Sequence, residues 1–215
     1  MSSFPGTPKV LKGGIVLIDP VSSAVRRIIA MQYNPDSISR SLQVQGIGES
    51  GDRSEALRLK GPPVETIKLE AEIDANEQLE VVNGTAISVG LHPQLAALEL
   101  IIYPTSNQLQ TNNNLARSGT LEIAPMESAL MLFIWSKQRI VPVRLTEFSI
   151  TEEAFDVNLN PIRAKVSLGM RVLNVNDLGF NHKGGSLFMS YLKNKEQLAQ
   201  KATNGAFASL GISGI

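Results

Sequence analysis

Residues 128–172 read SALMLFIWSKQRIVPVRLTEFSITEEAFDVNLNPIRAKVSLGMRV, and this stretch decides the fold. Its last strand alternates without a break. Ile162, Ala164, Val166, Leu168, Met170 and Val172 share one parity, and Arg163, Lys165, Ser167, Gly169 and Arg171 share the other. A period of two over that length marks a β-strand with one buried and one polar face. At about 3.3 Å per residue the strand spans roughly 40 Å, about twice the common length. Upstream, Val141, Val143 and Leu145 hold one parity while Phe148 and Ile150 hold the other, which predicts a β-bulge near Thr146-Glu147. Pro142 has no N–H for a ladder, so its strand is either an edge there or points the missing donor outward. Ala129–Trp135 is continuously apolar and fits a central strand covered on both faces. Ser136-Lys137-Gln138 makes the turn between the two. A ribbon this long with almost no reactive chemistry on it points to an assembly protein.

Outward from the ribbon, further strands are expected at Gly14–Asp19, Val25–Tyr33, Ser41–Ile47 and Val64–Asp74. In the last of these Val64, Ile67, Leu69, Ala71 and Ile73 are apolar, with Glu65, Lys68, Glu70 and Glu72 falling between most of them. Asn34-Pro35-Asp36-Ser37 and Asn158, Asn160 and Pro161 supply turn chemistry. HPQLAALELIIYP is the clear helix of the middle region, with Leu95, Leu98 and Ile102 as its stripe, Pro93 at its first position and Pro104 as its stop. Residues 48–61 and Gln108–Asn114 read as loops. Three parts follow: an N-terminal arm (1–13), a β domain (14–183), and a C-terminal extension (184–215) set off by Gly184-Gly185. In that extension Leu187, Tyr191 and Leu198 lie on one amphipathic face.

Composition narrows the function. The chain has 215 residues, 43% hydrophobic, with 20 basic and 20 acidic side chains, so its formal net charge is zero. Nothing in that balance calls for nucleic acid or an anionic membrane, and low net charge eases packing against copies of the same chain. With no cysteine, disulfides and thiolate metal sites are excluded. The N-terminal residues lack an apolar signal core, and no apolar run reaches the ~18 residues of a membrane helix, so synthesis and folding in the cytoplasm are expected.

Catalytic constellations are missing from the pattern. His92 stands where a helix cap stands, and His182 lies in the loop FNHKGG; neither has a partner at i+4 for a zinc pair. Glu152 and Glu153, followed by Asp156, form the densest acidic cluster, but neighbours on a strand point to opposite faces and do not converge. Gly46-Ile47-Gly48 lacks the third glycine and helix of a phosphate loop, and no G-x-S-x-G occurs. Trp135 sits in the most apolar run and reads as core. No cofactor or metal is expected.

MQYNPDSISRSL near the N-terminus, ALELIIYPTS in the middle and RIVPVRLTEFSITEEAFDVNLNPIRAKVSLGMRVL together resemble the tube-type proteins of contractile injection systems, the phage-tail-like particles with which bacteria puncture target cells. The resemblance covers about residues 14–178. It implies a mainly β, tail-tube-like antiparallel barrel or sandwich with a flanking helix, and six copies joined through their sheets into one ring. It also implies a place between spike hub, baseplate and inner tube, as the tube-initiating adaptor, with the particle released or held at a membrane. Bulk inner-tube subunit is the alternative of the same kind; a small-ligand-binding β-barrel or a hydrolase with a dispersed site is the alternative of a different class. Relatives of the adaptor often continue into a glycan-binding LysM module, which residues 186–215 do not resemble. The expected interface residues are Arg163, Lys165 and Arg171, which share the polar strand face and should line a lumen or meet an adjoining ring, with Glu152 and Asp156 beside them.

Overall fold

The computed structural model describes residues 10–46, 58–76, 84–119, 128–202 and 205–214. Seven strands form one antiparallel sheet: β1 (Gly14–Ile18), β2 (Val25–Ala30), β3 (Ile38–Gln43), β4 (Val64–Asp74), β5 (Leu130–Ile134), β6 (Ile140–Phe155) and β7 (Pro161–Val172), in the spatial order β2-β1-β5-β6-β7-β4-β3. The protein is thus mainly β and antiparallel, as the alternation requires. Among the described residues the sheet is open, with β2 and β3 as its two edges. Its third strand begins and ends several residues before the expected Ser41–Ile47.

The period of two places the core. Ala164, Val166, Leu168, Met170 and Val172 are buried, and their ladder partners on β4 are Ile73, Ala71, Leu69 and Ile67 for the first four. On the other side of β7, Phe148 and Ile150 lie opposite Leu168 and Val166, while Val143 and Leu145 lie opposite Val172 and Met170. Two parities of β6 therefore reach one face of β7, which is possible only with an inserted residue. That residue is Thr146, where the register shifts between Leu145 and Glu147. Gly169 faces the bulge, and a Cβ there would come within 2.9 Å of the Glu147 Cβ. The predicted bulge and its phase change are both present.

Pro142 is buried in a central strand and is no edge residue. Its carbonyl accepts from the Leu173 N–H at 2.9 Å. N–H and C=O of one strand residue project to the same side, so the missing donor faces the end of β7, beyond the last ladder pair Val143–Val172. β5 is covered on both faces, as expected of its apolar run. Met131 and Phe133 join the main core with Ile15, while Leu130 and Leu132 pack with Ile18, Leu178 and Leu187 on the opposite face. Trp135 stacks on Phe133 with ring centroids 6.2 Å apart.

The helices are α1 (Gly84–Val89), α2 (His92–Glu99), α3 (Ser106–Arg117), α4 (Val175–Leu178) and α5 (Lys183–Ala199), with a 3₁₀ turn at Phe207–Leu210. α2 is the expected helix, but it stops at Glu99. Leu95 and Leu98 are buried and Ile102 is left half-exposed outside it. The segment 108–114, expected as a loop, is helical within α3. A capping box between Thr105 and Gln108 starts that helix, although none of its residues is buried. The histidines exchange roles. His92 is the first residue of α2 and caps nothing, whereas His182 caps α5, its Nδ1 accepting from the Gly184 N–H at 3.0 Å.

Gly184 and Gly185 are not a separator. Both are buried in the first turn of α5, where a Cβ on Gly185 would sit 1.9 Å from the Gly179 carbonyl oxygen. Phe188 and Tyr191 carry α5 into the main core, and Leu198 is exposed. Residues 47–57, most of the expected 48–61 loop, lie outside the described residues, as do residues 1–9 of the arm. The rest of the arm is tied down: Asn34 accepts from the Gly13 N–H at 2.9 Å and donates to the Leu11 carbonyl at 2.8 Å.

Gly185→Ala is expected to lower unfolding stability by about 1–3 kcal/mol through overpacking, read from urea denaturation. Gly46→Ala, whose added methyl would meet no described atom within 4 Å, should leave the midpoint within error.

Candidate functional site

The surface of β3, β4, β7 and β6 turned away from the core is polar throughout its middle. Arg163, Lys165 and Arg171 project from it, as the alternation requires, and each meets an acid, from the sheet for the first two and from α4 for the third. Lys165 lies opposite Thr151 on β6 and Glu72 on β4, and its Nζ meets Glu153 at 3.0 Å. The Glu153 hydrogen bond and charge raise the Lys165 pKa. Arg163 Nε is 3.2 Å from Asp74 and 3.6 Å from Glu72. Arg171 lies directly opposite Arg144, a like-charge pairing that costs stability unless an acid intervenes; Asp177 of α4 does so at 2.7 Å. Lys68 on β4 reaches Glu147 on β6 at 2.7 Å. The solvent-exposed pairs among them, such as Lys68–Glu147, contribute little stability each. They set a pattern of alternating sign along that face.

Glu152 and Glu153 do not converge. Glu153 shares the outer face with Lys165, and Glu152 lies opposite Ala164. Asp156 has a different task, at the tip of the β6–β7 hairpin. Its Oδ1 accepts from the backbone N–H of Asn158 at 2.7 Å and of Asn160 at 2.8 Å, and its Oδ2 accepts from the Asn160 side chain at 2.9 Å. The Asn160 hydrogen bonds hold the Asp156 carboxyl below the usual range. Held in this way, the tip presents Val157 at 98% and Leu159 at 78% exposure, with Phe155 half-exposed.

Two features escaped the sequence. Glu65 has the parity of Ile67 and Leu69, so it points into the core face, where it is 4% exposed. Lys195 of α5 meets it at 3.0 Å, Arg40 of β3 at 2.7 Å, and the Tyr191 hydroxyl donates to it at 3.1 Å. Burial opposes its charge, but Lys195 and Arg40 outweigh that and leave its pKa below the ordinary carboxylate value. The cluster ties α5 to the β3–β4 edge of the sheet. Its signal was the shared parity of 65, 67, 69, 71 and 73.

The second feature is a groove of about 780 Å³ between β2, β4 and α2, walled by Ile29, Met31, Ala71, Ile73 and Leu98. Lys12 and Arg27 stand at it, with Arg27 donating to the Ala97 carbonyl at 3.3 Å. At one end Gln32 bridges to β4, donating to the Asp74 carbonyl at 2.7 Å and accepting from the Asp74 N–H at 3.0 Å. One side chain there makes both bonds that a ladder partner would make. No spacing rule in the sequence announces this contact, since it joins residues 42 apart through a side chain.

Among the described residues no three His, Cys, Asp or Glu side chains are grouped to hold a metal, and no helix is long and apolar enough to cross a membrane.

No protein-family model matches the chain, and no curated protein sequence matches it. Solved structures similar to it include two of gene transfer agent particles. The tail of an empty gene transfer agent particle, refined with C6 symmetry, matches at 14% identity over 75% of this chain and 90% of that chain, with a TM-score of 0.29. The virion of a native gene transfer agent particle matches at 13% identity over 74% and 90%, with a TM-score of 0.26. Likeness at this level decides neither fold nor function.

Glu65→Gln is expected to cost about 1–3 kcal/mol at neutral pH, less than a fully buried pair because both cations are partly solvated. The folded-state pKa of Glu65 is depressed, so its contribution is present above the unfolded carboxylate value and is lost as pH falls through the folded one. Urea midpoints measured from pH 7 downward should therefore fall less steeply below about pH 4.5 in Glu65→Gln than in the wild type.

Proposed function

We propose that this chain is a structural subunit of a contractile, phage-tail-like injection particle, forming a ring that joins the spike hub and baseplate to the inner tube, with no catalytic role. The observation that carries the reading is the seven-stranded sheet, which among the described residues is open, with an edge strand at each end paired on one side alone. Edge strands leave rows of N–H and C=O groups that a soluble protein must cover, blunt or pair. Here β2 has almost no burial and carries exposed Val25 and Ile28, and β3 carries exposed Leu42. Pairing β2 of one copy with β3 of the next removes every edge once the ring closes. The motifs of residues 31–42 and 139–173, which resemble tube-type proteins, contain most of β3 and the β6–β7 ribbon. That ribbon supplies the stiffness a conduit needs, and its polar outer face suits a water-filled lumen or a neighbouring ring.

On this reading Arg163, Lys165 and Arg171 face the lumen or the adjoining ring, with Glu152 and Asp156 at the periphery of the contact. The force that drives such a particle comes from its contracting sheath, and this chain transmits it without making or breaking a bond.

Lys165→Glu combined with Arg171→Glu replaces two surface ion pairs, worth about 0–1 kcal/mol each, by like-charge contacts of similar size, so the fold should survive with an unchanged circular dichroism spectrum. Negative-stain images of the wild type should show rings, and the double variant should show rings that no longer stack or join the hub and tube proteins. Six copies per particle identify the joining ring, and many more identify the bulk tube. Unchanged assembly by the double variant would remove these residues from the interface.

A further inference from the structure

The hairpin tip and the groove are an unsatisfied pair on one molecule. The tip holds three apolar side chains, Phe155, Val157 and Leu159, out in solvent. It does so in a conformation that disfavours ordinary residues: Ala154 has φ +51° and Leu159 has φ +63°, both in the left-handed region where a Cβ crowds the following carbonyl. Five hydrogen bonds fix that shape. Besides the three to the Asp156 carboxylate, the Asp156 N–H donates to the Asn160 carbonyl at 3.0 Å and the Leu159 N–H donates to the Asp156 carbonyl at 3.1 Å. The tip is also tied to the helical layer, since Asn160 donates to the Ser88 carbonyl at 3.3 Å and the Leu91 N–H donates to the Pro161 carbonyl at 2.9 Å. A strained, pre-ordered loop with exposed aliphatic side chains has the properties of an interface anchor, because little ordering entropy remains to be lost on docking.

The groove has the complementary properties. It is apolar, it is large enough for two or three side chains, and its polar groups include the cations Lys12 and Arg27, while Glu72, also at the groove, is engaged by Arg163. The tip carries the ionised Asp156 among its apolar residues. Apolar matches apolar and acid matches base.

We infer that the β6–β7 hairpin tip of one copy docks into the β2–β4–α2 groove of a second copy of this chain. The inference rests on the reading that the chain assembles with itself, and it names a contact that edge pairing alone does not provide. Tip and groove are different surfaces, so the contact is heterologous and propagates from copy to copy, closing into a ring or continuing as a stack.

The test is a complementation between two full-length variants, followed by sedimentation. Val157→Ser with Leu159→Asn damages the tip, and Asn tolerates the left-handed backbone at 159, so thermal stability should hold or rise. Ala97→Glu damages the groove from α2, outside both edge strands. Each variant alone should self-associate about tenfold or more weakly than the wild type, the loss typical of an anchor. Mixed in equal amounts they should associate more tightly than either variant alone, because one variant retains a sound groove and the other a sound tip. A mixture that associates no better than its components overturns the inference, as does a variant that assembles like the wild type; in that second case the edge-paired ring still stands. A wild type that stays monomeric up to ~1 mM overturns both readings. A small amphiphile found by native mass spectrometry in the purified chain, and lost in Ala97→Glu, would assign the groove to that ligand and overturn the docking.

Discussion

The fold depends on the uninterrupted alternation of β7. Eleven residues, 162–172, with a strict period of two give the strand a core face and a water face, and both neighbours must match that polarity to pair with it. β4 matches by its own alternation. β6 matches only because Thr146 is inserted, and Gly169 opposite it leaves room for the crowded backbone. A one-residue slip along this ribbon would turn Val166, Leu168 and Met170 to water and bring Lys165 and Arg171 into the core. The loss of several buried side chains, at about 1.5–3 kcal/mol each, makes that register unreachable.

What can be read from a sequence follows from the same constraint. Parity is local, so the strands, the core face of β7, the bulge and the doubly covered β5 were all legible. Helix ends and loops were less so, because they are decided by contacts between distant residues. The 108–114 run is polar and looks unstructured, but the Thr105–Gln108 box starts a helix through it. The Gly184-Gly185 pair looks like a hinge, and only the approach of the Gly179 carbonyl shows why the side chains are absent. His182 looks like a solvated loop residue, because a histidine cap has no strong sequence signature. Glu65 was hidden in a different way: its parity placed it in the core, but its charge suggested the surface, and the compensating cations come from Arg40 and Lys195, 25 and 130 residues away.

The candidate site divides along the same line. The polar face bearing Arg163, Lys165 and Arg171 follows from alternation. The groove does not, since it exists only where β2 and β4 approach over a common core and Gln32 stands in for strand pairing. The hairpin tip was visible as turn-forming residues in DVNLNP, but its exposed Val157 and Leu159 become meaningful only once the loop is seen to be rigid. The protein therefore carries two kinds of unsatisfied surface: hydrogen-bonding edges on β2 and β3, and an apolar projection with an apolar recess. Both are costs to a monomer, and the proposed assembly would relieve both with more copies of the same chain.

Edge pairing is the central claim, and amide hydrogen exchange measures it most directly. In the free chain the backbone of Val25–Ala30 and Ile38–Gln43 should exchange far faster than that of β7. In the assembled ring the two edges should become protected to a similar degree as β7. Edge amides that exchange at the same rate in free and assembled protein would contradict the account.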